Sequence, residues 1–147
     1  MAWKFVEGLT VADVAFEASG KTLAELFESA AQATTATMVK RVSSVKAVKT
    51  RKFSLKEEDS VEKLLFEFLQ KLVFYKDADV LLFSKYSAKI TESKKGGSFK
   101  LDAVVKGDKI NPKTQQLLVD VKAVTWHKFE VIKTSRGTWK ATVILDV

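Results

Sequence analysis

Between residues 61 and 73, Val61, Leu64, Leu65, Phe68, Leu69, Leu72 and Val73 recur at spacings of three and four. That rhythm predicts a helix of about three turns with one continuously apolar side. Such a side cannot face water, so a sheet or a second helix has to cover it. Asp59 stands where an N-cap belongs, with Glu62 three residues on. A second stretch, TLAELFESAAQATTATMV, repeats the pattern through Leu23, Leu26, Phe27, Ala30, Ala31, Thr34 and Met38. Thr22 and Glu25 form its capping box.

Around these two helices the chain alternates as strands do. AWKFVE and DVAFEA precede the first helix, the latter with Val14, Phe16 and Ala18 on one face, and VKAVKTRKFSL lies between the helices. VLLFSKYSAKI, SFKLDAVVK, QLLVDVKAVTWHKFEVI and TWKATVILDV follow. ESKKGGS and TSRGT read as turns, and GDKINPKTQQ, with the only proline, as a longer loop of the kind that often carries function. The expected class is α+β: one domain over 1–147, a mainly antiparallel or mixed β-sheet with both amphipathic helices packed on one of its faces.

Composition removes several functions. Without cysteine there is no disulfide, thiolate metal site or cysteine nucleophile. One histidine allows no zinc pair, and there is no phosphate-cradling glycine loop or nucleophile elbow. Glu7 and Asp13 interrupt the opening residues, so neither signal peptide nor membrane span is expected, and the cytoplasm is the simplest address. A net charge of +7 favours encounters with polyanions or acidic partners, although a basic surface is also ordinary. The lysines of KRVSSVKAVKTRK are the stretch that a nucleic-acid backbone would meet, against the plainer reading of a solvated basic face.

Two strand stretches hold the remaining candidates. In 118–131, alternation puts Val119, Val121, Ala123, Thr125, His127, Phe129 and Val131 on one face. His127 thereby reads as a hydrogen-bonded core residue. Asp120 and Lys122 fall on the other face, close enough to interact, either as a surface ion pair or as a lysine held for a phosphate or a partner's carboxylate. In TWKATVILDV the core set is Trp139, Ala141, Val143, Leu145 and Val147, which leaves Asp146 beside the chain-end carboxylate. Two carboxylates in one small volume repel unless one is protonated or a cation bridges them. All-oxygen ligation suits Ca²⁺ or Mg²⁺; the alternative is a solvated, frayed terminus.

Taken in order, TVADVAFEASG at 10–20, LAELFESAA at 23–31, EDSVEKLLFEFL at 58–69, LFSKY at 82–86, GDKI at 107–110, DVKAVTWH at 120–127 and the closing VILDV resemble the archease family over nearly the whole chain. The resemblance implies an archease-like fold and a cytoplasmic protein, not itself an enzyme. Its implied role is activator of an RtcB-type RNA ligase in tRNA splicing, promoting ligase guanylylation and multiple turnover. It further implies a divalent metal, calcium or else magnesium, held by Asp13, Asp146 and the terminal carboxylate of Val147. Lys122, with Asp120 beside it, is the implied contact for the partner, and RNA is touched weakly or indirectly. Where the family has His-Thr-Ala-Asp, this chain has Thr10-Val11-Ala12-Asp13, which removes a polar neighbour of the first ligand and lowers the expected metal affinity. The alternative function is a basic RNA-binding module that works without the ligase.

Overall fold

The structure is a computed structural model that describes every residue except Val11, and the side chains of all the others except Glu57 and Glu58. The described elements run β1 (Ala2–Phe5), β2 (Val14–Gly20), α1 (Leu23–Met38), a 3-10 turn (Val42–Ser44), β3 (Lys49–Glu58), α2 (Val61–Asp79), β4 (Leu81–Glu92), β5 (Ser98–Lys109), β6 (Ala123–Lys133) and β7 (Trp139–Asp146). The α+β class and both helices are as the periodicity predicts. The strands, however, divide between two wholly antiparallel sheets, ordered β1-β2-β7-β6 and β3-β5-β4. Among the described residues, no helix is long and apolar enough to cross a membrane.

The helices therefore do not share one sheet face. α1 lies against β1, β2 and β7 of the first sheet and also against β4 of the second, so it is buried on almost every side. Small residues make this possible: Ala30, Ala31 and Ala33 are fully buried, and Thr34 and Thr37 return their hydroxyls to the carbonyls of Ala30 and Ala33. Ser29, also fully buried, donates to the carbonyl of Ala2 and ties β1 to the helix. α2 covers β6 and the inner face of β3-β5-β4 with the predicted stripe, and Phe68 sits between Phe27 and Phe53.

Caps follow chemistry with one shift. Thr22 accepts the backbone N–H of Glu25, as the capping box requires. For α2 the cap is Ser60, whose hydroxyl accepts from Lys63 N at 3.0 Å, and not Asp59. Asp59 takes a φ of 60°, outside the extended region a cap needs, and gives its N–H to Gly97 at the end of the β3-β5 ladder.

Of the glycines, Gly107 leaves the least room for a side chain. β4 bulges between Phe83 and Lys85 where it pairs with Gly107. A Cβ on Gly107 would lie 1.8 Å from the carbonyl oxygen of Leu82 and 2.7 Å from Phe83 Cα.

Candidate functional site

β7 occupies an inner position in its sheet, with β2 on one side and β6 on the other. Its register with β2 runs to Val14↔Leu145, and one step beyond that pair stand Asp13 and Asp146, at the end of neighbouring antiparallel strands. On the other side Asp146 pairs with Ala123, and the ladder continues as Lys122 N donates to the Asp146 carbonyl at 2.8 Å. Val147, which follows Asp146, is half-buried against the core. The neighbours of Asp13 and Asp146, Val14 and Leu145, are thus paired at one sheet corner. Among the described residues, no lysine or arginine forms an ion pair with Asp13 or Asp146. Val11, in the altered segment before Asp13, lies outside the described residues.

The segment leading to Lys122 is fixed by a group that the sequence reading passed over. Lys76 of α2 is 5% exposed and donates from Nζ to the Val121 carbonyl at 2.5 Å and to Asp120 Oδ1 at 2.5 Å, with Asp77 at 2.8 Å. Asp120 is therefore paired with Lys76 and not with Lys122, whose side chain is exposed and without an ion pair among the described residues. The signal was present: Lys76 continues the buried 69, 72, 73 rhythm of α2, a place where a lysine needs partners. Gln70 makes a similar tie by accepting the N–H of Val124.

Residues 116–122 are not strand. Lys40 N donates to Gln116 O, Leu118 N donates to Met38 O, and Leu117 bridges Val39, so this stretch closes against the end of α1 and β6 begins only at Ala123. The GDKINPKTQQ stretch is cut short as well, since β5 extends to Lys109. Buried Gln115 then ties the turn by accepting from Asn111 N and donating to Lys109 O.

The expected alternation over 118–131 fails. Val121, Val124 and Val131 are buried, whereas Val119 and His127 are exposed. Val119 precedes the strand, and within β6 the register with β7 breaks between Thr125 and Glu130, with Lys128 at φ 53°. The irregular stretch turns His127 to solvent, so it is not a core histidine, and lays Trp126 flat on Phe66 of α2 at 4.0 Å between ring centroids. Lys128 Nζ reaches the carbonyl of Leu9 in the loop that leads to Asp13.

Among the described residues, no group of three or more histidine, cysteine, aspartate and glutamate side chains could hold a metal ion. A cation at this corner would depend on two side-chain carboxylates and the chain-end carboxylate of Val147. These are hard oxygen donors carrying negative charge, the kind that suits Ca²⁺ or Mg²⁺. Asp13 also borders an open groove of about 460 Å³ walled by Phe5, Val14, Ala36, Leu118 and Val119.

With this geometry in place, comparison with known proteins is decisive. The sequence profile of the archease protein family (MTH1598/TM1083) matches residues 3–147. The chain belongs to the archease family. A protein archease of Methanothermobacter thermautotrophicus is 38% identical over 136 residues, covering 92% of this chain and 93% of its relative. One from Pyrococcus abyssi is 32% identical over 136 residues with the same coverage. The solution structure of Methanobacterium thermoautotrophicum protein 1598 superposes with a TM-score of 0.82 at 33% identity, over 99% of this chain and 98% of that one.

Two buried groups of this archease are expected to make its stability fall in alkali. Burial works to lower the pKa of Lys76, but its hydrogen bonds to Asp120 and Asp77 and their charges together hold it above the ordinary 10.5. Burial of Tyr86, whose hydroxyl lies 2.7 Å from Thr35 Oγ1 and 2.5 Å from the Phe83 carbonyl, raises its pKa from 10.0. Both folded-state values exceed the unfolded ones, so the folded chain retains protons that the unfolded chain releases. Their contribution is complete below about pH 10 and is lost as pH rises through the folded values. The urea midpoint is expected to fall between about pH 9.5 and 11, and less steeply in Lys76→Met and Tyr86→Phe. A midpoint level across that range would refute the assignment.

Proposed function

We propose that this archease is a non-catalytic cytoplasmic activator of an RtcB-type RNA ligase in tRNA splicing. In this reading it promotes guanylylation and repeated turnover of the ligase through a corner organised by a divalent cation. The observation that supports the reading is the β2-β7 register, whose last pair, Val14↔Leu145, is formed by the residues adjoining Asp13 and Asp146. Asp13, Asp146 and the carboxylate of Val147 would hold the ion, calcium or magnesium, and it would supply positive charge that lets three carboxylates share one volume. Lys122 stands next to them through its backbone bond to Asp146, with its side chain available to a phosphate or an acidic group of the ligase. Exposed Phe5, Leu118 and Val119 supply apolar contact area on the same side.

The test is calcium titration by calorimetry together with guanylylation of a cognate ligase. Asp13→Asn, Asp146→Asn and a short extension after Val147 should each weaken calcium binding by at least about tenfold and reduce activation in parallel. Lys122→Ala should impair activation while calcium affinity stays unchanged. An extended protein that binds calcium and activates like the original removes the terminal carboxylate from the site. Calcium binding lost without any loss of activation removes the ion from the mechanism.

A further inference from the structure

The second sheet turns its inner face to the helices, with Phe53, Leu101, Ala103 and Val105 in the core or packed against it, and its outer face to solvent. The strand register places six lysines on that outer face: Lys52 and Lys56 of β3, Lys100 and Lys106 of β5, and Lys85 and Lys89 of β4. All six are exposed. Among the described side chains, the acidic residues in the same register are Asp102 and Asp108. Six lysines against these two aspartates leave four excess positive charges on this face among the described side chains. Only Lys100 has an ion-pair partner among the described residues, Asp102 at a long 3.9 Å.

We propose that this face binds the phosphate backbone of double-stranded RNA. Lysines on one strand four residues apart are spaced by roughly 13–14 Å and neighbouring strands by about 4.8 Å, on a scaffold that does not need ordering first. Lys85 lies directly across from Lys106, and Lys56 across from Lys100, so paired cations mark opposite corners of the face. Thr50, Ser87 and Thr91 add hydroxyls between them. Protein interfaces deplete lysine and concentrate aromatic anchors, and this face has neither property. Unpaired RNA would require rings on which bases stack, and no outward position here is aromatic. A duplex, recognised by shape and phosphate, fits what remains.

This inference is independent of the metal corner, which belongs to the other sheet, and its test contains no ligase and no calcium. Fluorescence anisotropy with a labelled RNA hairpin should give affinity that falls with salt, with a log–log slope between about −4 and −5. Replacing Lys52, Lys85, Lys89 and Lys106 together by glutamine should reduce affinity at least about tenfold near 0.1 M salt and flatten the slope by roughly one unit per lysine. Replacing Lys4, Lys21, Lys113 and Lys133 changes net charge equally and should cost far less, with circular dichroism verifying both folds. Equal losses in the two variants would overturn the proposal, as would displacement of the hairpin by polyaspartate at equal charge.

Discussion

Gly107→Ala is expected to remove most of the protein's stability. The added methyl would lie 1.8 Å from a backbone oxygen of β4, so no side-chain rotation can relieve the overlap. The bulge at Phe83/Lys85 would have to open, in a strand whose Leu81, Leu82 and Phe83 are nearly fully buried. A loss above about 4 kcal/mol is expected, equivalent to a fall in Tm of roughly 8–16 °C for a chain of this size. Thermal denaturation measures it directly; a Tm within 2 °C or so of the original would mean that β4 does not cross Gly107 as described.

Phe68→Ala is expected to cost about 3–5 kcal/mol. Phe68 is fully buried, with ring centroids 5.6 Å from Phe27 of α1 and 6.0 Å from Phe53 of β3. It links both helices to the second sheet, and alanine would leave a cavity whose walls belong to three separate elements. Phe74 on the same helix is 53% exposed, so Phe74→Ala should stay within about 1 kcal/mol of the original. Urea denaturation of the pair checks the contrast, and similar losses from both would show that burial is not what separates them.

Local periodicity made the elements legible, and it did so wherever one face of an element is buried by a continuous neighbour. The stripe from Val61 to Val73 and the alternation in 139–147 needed no tertiary information to read. Alternation in 118–131 misled because β6 begins only at Ala123 and its register breaks after Thr125, and nothing local in TWHKFE announces that break. The division of the strands into two sheets was also hidden, since the pairings that assemble them, β2 with β7 and β3 with β5, join strands far apart in the chain. For the candidate site, the residues came from family resemblance, while the pairing of their neighbours came from register: Val14↔Leu145 is a pairing across 131 positions. Lys76 could have been suspected from its place in the apolar stripe, but its partners, Asp120 and Val121, belong to a loop that periodicity read as strand.

The position of β7 has a kinetic consequence. It is last in chain order, yet it joins β2 to β6, so that sheet stays in two unconnected pieces until residues 139–146 are seated. The β6-β7 hairpin is local, but docking it on β2 closes a loop that spans most of the chain, which puts refolding at the slow end for a small protein. During that delay the bare edges of β2 and β7 are open to neighbouring chains, and dilution during renaturation should favour the monomeric route over clumping.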